Sequence, residues 1–372
     1  MTEMQLAYNM LKAALDGSKP CLGIELPDTN HWWSLFRLLQ RNRVAALCYE
    51  AAATAGAPRT VLMPWLAEHE KAVDWHRHQR QVQQDIIDTM ARHGIETLVL
   101  KGTRLAQYYP RPEEREFGDL DLYFYDRHKE ADRVARNVLK VEVSNDAHHH
   151  SKYNYRGVTV ESHYDFVNVH YPPSNRRYEA LLKELVGNNS LTDSKSQSLK
   201  VSRTQGLKDS TAQGQLSTFE ILFLLRHMAC HFASSRITLR ELTDWALTCQ
   251  ALQGEVDWKR VQQSVDDYGM RPFASALNLI AERQLGIVLP LQNDNTPDIL
   301  ANTASLERDI VYGSPETDDK NADGLGRLTW KMRRWNALAW KRKMVYSDSP
   351  SSLMLASLTS HAEKPRSILH KQ

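Results

Sequence analysis

Apolar residues recur with two different periods along the chain, and the period changes near residue 95. Before that point the spacing is that of an amphipathic helix, with a glycine at position 94 that suits a left-handed helix end. Helices are therefore predicted over residues 4–16, 32–55 and 63–92. Together they predict a helical extension over residues 1–94 that leads directly into a different kind of structure.

Short apolar runs replace the helical period over residues 95–187. These runs favour a pleated surface and are bounded by breakers, which predicts β-strands, and Arg156-Gly157 between the last two is typical of a hairpin turn. A helix over residues 127–139 is expected to cover the sheet. Strands are predicted over residues 97–100, 120–124, 141–144, 149–155 and 158–164.

Helical spacing returns after residues 188–215, which are rich in Ser, Thr, Asn, Gln and Lys and predict a polar linker. Residues 216–290 predict a helical domain whose first helix begins at a capping box, Ser217-Thr218-Phe219-Glu220. Residues 291–372 predict a polar segment, a basic helix containing tryptophan and a tail. The whole chain is therefore predicted to be α+β, with helical parts on both sides of a small mixed sheet.

Composition narrows the class of protein. The 372 residues are 42% hydrophobic and 25% charged, which is ordinary for a globular protein, and a net charge of +2 gives no strong signal for nucleic acid. Four scattered cysteines predict reduced thiols rather than a disulfide framework. The amino terminus lacks the layout of a signal peptide, and no apolar run is long enough for a membrane span. We expect a cytoplasmic protein.

Candidate chemistry lies at the ends of two predicted strands. The first strand stops at Lys101-Gly102-Thr103 and opens a helix, so that backbone N–H groups beside a lysine predict a phosphate-binding turn. The second strand carries Asp119 and Asp121 two residues apart, hence on one face, directly after Gly118. Two carboxylates on one face repel each other unless a cation lies between them. The alternative is a solvated strand face.

Glu161 offers a third carboxylate on a later strand, where it alternates with apolar Val160. It is predicted to face the same cleft, although a surface glutamate beside Lys152 is the alternative. His163 lies on the same strand face and is predicted to orient Glu161 or to contact substrate. Two further groups are weak candidates for a metal site, namely the run His148-His149-His150 and the helical set His227, Cys230 and His231.

The order of these pieces resembles the active-site signature of the DNA polymerase β-like nucleotidyltransferase superfamily. The resemblance covers roughly residues 35–290 and is strongest to uncharacterised bacterial nucleotidyltransferase family proteins. Against the broader superfamily the sequence departs at Thr103, where a second glycine or a serine is usual. The matching pieces are Leu100-Lys101-Gly102, Tyr109-Pro110, Arg115, Gly118 to Leu122, and Val160-Glu161-Ser162-His163.

This resemblance implies transfer of a nucleoside monophosphate from a triphosphate such as ATP to a hydroxyl of a small molecule, peptide or protein, with release of pyrophosphate. Hard oxygen ligands favour Mg²⁺ or Mn²⁺ as the cofactor. A metal-dependent phosphodiesterase or nuclease and a catalytically idle binding protein are the alternatives. The implied catalytic and metal-binding residues are Asp119, Asp121 and Glu161; the implied nucleotide-binding residues are Lys101, Gly102, Thr103, Arg115 and Gly118.

Overall fold

A computed structural model describes residues 1–23, 27–145, 148–187, 210–313 and 325–363, and it confirms a helix-rich α+β fold with a small mixed sheet. The strands are β1 (Leu98–Val99), β2 (Leu120–Tyr123), β3 (His150–Tyr155) and β4 (Val158–His163). The helices are α1 (Glu3–Asp16), α2 (Thr29–Arg41), α3 (Ala45–Thr54), α4 (Arg59–Arg92), α5 (Thr103–Ala106), α6 (His128–Val134), α7 (Asn175–Gly187), α8 (Ser210–Ser234), α9 (Leu239–Ala251), α10 (Trp258–Asp267), α11 (Arg271–Ile280), α12 (Pro297–Tyr312), α13 (Leu325–Ala337), α14 (Ala339–Val345) and α15 (Pro350–Glu363).

The sheet has the strand order β1-β2-β4-β3, with β2 and β4 parallel and the two outer pairs antiparallel. The parallel register sets Asp121 beside Glu161. Strands β3 and β4 form the predicted hairpin, whose turn residues Arg156 and Gly157 both have positive φ. The strand predicted over residues 141–144 was wrong: only Ser144 makes a bridge, to Lys152.

Alternation along the strands separates an apolar face from a polar one. Leu120, Leu122 and Val160 are buried in a core that also contains Val82 and Ile86 of α4. Residues that are paired in register on adjacent strands point to the same face of a sheet. Asp121 and Glu161 are such a pair, and they lie on the face opposite to this core. The sheet thus buries one face against helices and offers the other to the site.

Helix α8 packs over the polar face through a chain of aromatic rings. The rings of Tyr123 on β2 and Phe166 lie 4.3 Å apart, and Phe166 in turn lies 4.8 Å from Phe219 of α8. These rings belong to a larger core that runs from Leu6 in α1 to Leu353 in α15. Both ends of the chain therefore contribute to the packing that holds α8 above the sheet.

Two helical predictions were wrong in detail. The helix predicted over residues 32–55 is broken at Asn42 and Arg43, because Arg43 has a φ of 56° and the Asn42 side chain donates to the carbonyl of Val311. Ser217 does not start a helix, since α8 begins at Ser210 and so includes the end of the predicted linker. Residues 188–209 of that linker lie outside the described residues.

The carboxy-terminal segment is more ordered than its polar sequence predicts. Helix α12 begins after Thr296, whose hydroxyl accepts from the N–H of Ile299, and α15 occupies part of the predicted tail. The basic helix is divided into α13 and α14, and its Trp340 ring lies 5.4 Å from Phe232 of α8. Within the described ranges, no helix is sufficiently long and apolar to cross a membrane.

The first turn of α9 contains Glu241, a carboxylate that is expected to make the stability of the protein depend on pH. Oε2 of Glu241 accepts a hydrogen bond from the Thr238 backbone N–H at 2.8 Å, and its Oε1 accepts one from Nη2 of Arg240 at 2.6 Å. Burial acts to raise the pKa of Glu241, but Arg240 and Thr238 outweigh it and lower the pKa to about 2. The stability gained from this shift is present above the unfolded pKa and is lost as pH falls toward the folded pKa. We expect the contribution of Glu241 to the free energy of unfolding to fall by about 1 kcal/mol between pH 7 and pH 3.5.

Urea denaturation of the wild type and of Glu241→Gln at both pH values checks this expectation. The difference in unfolding free energy between the two proteins should shrink at the lower pH, because glutamine does not titrate. A difference that stays constant or grows at pH 3.5 would contradict a lowered pKa at Glu241.

Candidate active site

The turn after β1 requires glycine at position 102. Gly102 has a φ of 64°, and a Cβ added there would lie 3.1 Å from Cε2 of Phe117. The helix that follows, α5, is one turn of four residues, so its dipole is smaller than the sequence suggested. The Thr103 hydroxyl donates to Gln83 at 2.6 Å, which fixes the side chain of the residue that departs from the family pattern.

Lys101 points from this turn into the site. Its Nζ lies 2.9 Å from Oδ1 of Asp121 and 3.0 Å from Nε2 of His227 on α8. Burial, and then the Lys101 charge, hold the pKa of His227 well below its usual range, so a neutral imidazole accepts from the ammonium. The sequence pattern suggests His227 only as a zinc ligand and does not predict this contact, which depends on how α8 crosses the sheet.

Asp121 and Glu161 are brought together by the parallel register, and His163 joins them directly. Nε2 of His163 lies 3.2 Å from Oδ1 of Asp121 and 3.7 Å from Oε2 of Glu161. Burial acts to lower the pKa of His163, but the bonds to the two carboxylates raise it to about 9. His163 therefore contacts both carboxylates and can orient Asp121 as well as Glu161, in addition to the predicted alternatives of orienting Glu161 or contacting substrate.

Lysine and histidine side chains surround the carboxylates of Asp121 and Glu161. Burial acts to raise the pKa of Asp121, but Lys101 and then His163 outweigh it and lower the pKa. Oε1 of Glu161 lies 3.3 Å from Nζ of Lys152 and 3.4 Å from Nε2 of His150. Glu161 is thus both beside Lys152, as the surface alternative expects, and part of the inward-facing group.

Asp119 and Gly118 lie at the open end of β2, and both are exposed. Desolvation and then the Glu161 carboxylate raise the pKa of Asp119, as expected when carboxylates crowd one another. A Cβ at Gly118 would have room, since the nearest atom is 3.9 Å away on Arg43. Steric fit therefore does not explain glycine at position 118, whose carbonyl accepts from Gln79 at 3.0 Å.

Arg115 is not brought into the cleft with the carboxylates. Its guanidinium makes two bonds to Asp244 of α9, at 2.7 and 2.8 Å, and both side chains are 2% exposed. Nη1 of Arg115 donates to the carbonyl of Gly102 at 3.1 Å. The arginine thus supports the Gly102 turn from behind, and Asp244 is a buried ion-pair partner.

The donor atoms fit a divalent cation. One atom each from Asp121, Glu161 and His163 lies within 4.8 Å of the other two, and Asp119 lies outside this group. Two carboxylate oxygens and an imidazole nitrogen are ordinary ligands of Mn²⁺ and Zn²⁺, and the carboxylates also suit Mg²⁺. The arrangement can hold a cation beside a lysine at the edge of a glycine turn, which is suited to binding a phosphorylated substrate.

Comparison with known proteins points to one family. A family model described as "Uncharacterised nucleotidyltransferase" matches residues 28–286, well over half of the chain. No curated protein and no solved structure matches this chain. The matched range contains β1 to β4, α8 and α9, and therefore every residue described in this site.

Proposed function

Because this chain belongs to the uncharacterised nucleotidyltransferase family, we propose that it transfers a nucleoside monophosphate from a triphosphate to a hydroxyl acceptor and releases pyrophosphate. The acceptor is a small molecule, a peptide or a protein. The observation that carries the proposal is the group formed by Asp121, Glu161 and Lys101, in which two paired carboxylates lie next to a lysine from a glycine turn.

The carboxylates would hold the divalent cation, with Asp119 completing the site at its open end. When bound, the cation supplies charge neutralisation at the α-phosphorus and at the leaving pyrophosphate. Glu161 would remain an ionised ligand of that cation, since His163 and His150 outweigh burial and lower its pKa; the same lowered pKa makes Glu161 a weak general base. Asp119, at the exposed end, is the carboxylate nearest to incoming substrate.

Lys101 would bind the phosphates of the donor. Its ammonium is already held by Asp121 and by the neutral His227, so it is positioned before substrate arrives. The backbone of Gly102 and Thr103 would lie against the same phosphates. For Arg115 we propose support of this turn rather than a direct phosphate contact, because its guanidinium is bound by Asp244 and by the carbonyl of Gly102.

Thermal unfolding tests donor binding without knowledge of the acceptor. The purified protein is melted with ATP, GTP, CTP or UTP, each with Mg²⁺, with Mn²⁺ or with a chelator. A triphosphate at about 100 times its Kd should stabilise the protein by about 2.7 kcal/mol. We expect a metal-dependent increase in Tm with at least one triphosphate.

Two variants show whether the increase comes from this site. Lys101→Ala should lose most of it, while Lys129→Ala, a matched change at an exposed lysine of α6, should keep it. An unchanged increase in Lys101→Ala would remove Lys101 from the phosphate site. The absence of an increase with every triphosphate would contradict donor binding. Hydrolysis of a phosphodiester without release of pyrophosphate would instead favour a phosphodiesterase.

A further inference from the structure

Three histidine rings meet beside the carboxylates. The ring of His149 lies 4.5 Å from that of His150 and 5.4 Å from that of His163, and the last two are 5.1 Å apart. One nitrogen from each ring lies within 4.8 Å of the other two. The hairpin register sets His150 opposite His163, and the His149 carbonyl accepts from the N–H of Tyr164 at 3.1 Å.

Two nitrogens of this cluster have no hydrogen-bond partner among the residues that the structure describes. They are Nδ1 of His149 and Nδ1 of His150, both buried, and His150 as a whole is 9% exposed. A buried polar atom without a partner destabilises the folded state, so two in one cluster need a physical explanation. A bound cation would supply one.

The other nitrogens of the cluster are oriented as in metal-binding histidines. Nε2 of His150 faces Oε1 of Glu161 at 3.4 Å, and Nδ1 of His163 faces the Asp165 carbonyl at 3.2 Å. A histidine that binds a metal commonly donates its second ring N–H to a carboxylate or a carbonyl in this way. These contacts leave Nδ1 of His150 as a ligand atom, whereas Nε2 of His163 can bind the metal only in exchange for its contact with Oδ1 of Asp121 at 3.2 Å.

We infer that His149, His150 and His163 form a binding site for a transition metal such as Zn²⁺ or Co²⁺. Imidazole nitrogen favours these ions, whereas Mg²⁺ prefers oxygen ligands. Nε2 of His163 has a single lone pair, so a metal in this site and a metal bound by His163 with Asp121 and Glu161 exclude each other. The inference concerns metal binding alone and does not depend on nucleotide transfer.

Metal titration of the full chain, treated with a chelator and free of nucleotide, tests the site. Zn²⁺ is measured by competition with a chromophoric chelator, Co²⁺ by its visible absorption, and Mg²⁺ by calorimetry. We expect one equivalent of Zn²⁺ to bind at least about 100-fold more tightly than Mg²⁺, since nitrogen ligands favour zinc. His149→Gln with His150→Gln should weaken Zn²⁺ binding by about 100-fold or more, because two of three ligands are removed.

His148→Gln is the matched control. His148 belongs to the same histidine run, but its ring lies 5.1 Å from His170 and its Nε2 lies 3.2 Å from the Ser360 hydroxyl. This variant should keep Zn²⁺ affinity. If the double variant binds Zn²⁺ as tightly as the wild type, the carboxylates hold the metal and the inference is wrong; the absence of Zn²⁺ binding to the wild type would overturn it too.

A second measurement does not require any variant to fold. X-ray absorption at the zinc edge, on wild-type protein loaded with one equivalent of Zn²⁺, reports the ligands directly. We expect three imidazole nitrogens at about 2.0–2.1 Å from the zinc. A single imidazole together with carboxylate oxygens would assign the metal to Asp121, Glu161 and His163 and would overturn the inference, whatever the outcome of the triphosphate experiment.

Discussion

Replacement of both aspartates of the β2 edge, Asp119→Asn with Asp121→Asn, is expected to reduce nucleotidyl transfer by about 10³-fold or more. The amides bind a divalent cation more weakly, and charge stabilisation by such a cation contributes several kcal/mol to the transition state. The measurement uses a triphosphate labelled at the α-phosphate, incubated with an extract that supplies candidate acceptors, and follows both labelled product and pyrophosphate.

Asp126→Asn is the control for this experiment. Asp126 is an exposed aspartate just after β2, with a φ of 60° that asparagine tolerates. The Asp126→Asn variant should catalyse nucleotidyl transfer at the wild-type rate. The double variant should also lose about 1–3 kcal/mol of stability, because Asp121 is the buried partner of Lys101 and His163. Transfer is therefore measured well below its Tm, and a rate equal to wild type would exclude these aspartates from the active site.

Asp244→Ala is expected to destabilise the protein by about 3–5 kcal/mol, since removal of one partner leaves a buried charge unpaired. Arg115 would lose both bonds to the carboxylate, and the Tyr109 hydroxyl would lose the acceptor that lies 2.7 Å away. Arg115 also supports the Gly102 carbonyl, so triphosphate binding should weaken even where the variant remains folded. Urea denaturation gives the first effect, and the triphosphate-dependent change in Tm gives the second.

Asp74→Ala provides a matched comparison for the buried pair. Asp74 also pairs with an arginine, Arg77, but the two side chains are 70% and 66% exposed. Such a surface pair contributes about 0–1 kcal/mol, so its loss should be small. If Asp244→Ala were no more destabilising than Asp74→Ala, the Arg115–Asp244 pair would not hold the turn in place.

The fold was predictable where a local pattern has one structural solution. Alternating apolar residues predicted β2, β3 and β4, because a strand with one buried face must show that period. The break between α2 and α3 was not predictable, since it depends on the contact of Asn42 with Val311, which is remote in sequence. The helices α12 and α15 were missed because each begins at a proline, Pro297 or Pro350, within a stretch of the chain whose polar residues resemble those of loops.

The candidate site shows the same division. Spacing placed Asp119 with Asp121 on one strand face, and Glu161 with His163 on another, but it contained no information on how the two strands pair. The parallel register of β2 and β4 sets Asp121 beside Glu161. The contact of Lys101 with His227 depends in addition on the position of α8, which the aromatic core holds above the sheet.

The sequence by itself determined the α+β class, the family resemblance and the residue types available for chemistry, because these follow from local periodicity and from short motifs. The tertiary structure decided which of those residues meet. It directed Arg115 toward Asp244 and brought His149 and His150 to His163, since such contacts join positions far apart in the chain or at the ends of strands, where alternation no longer sets the direction of a side chain.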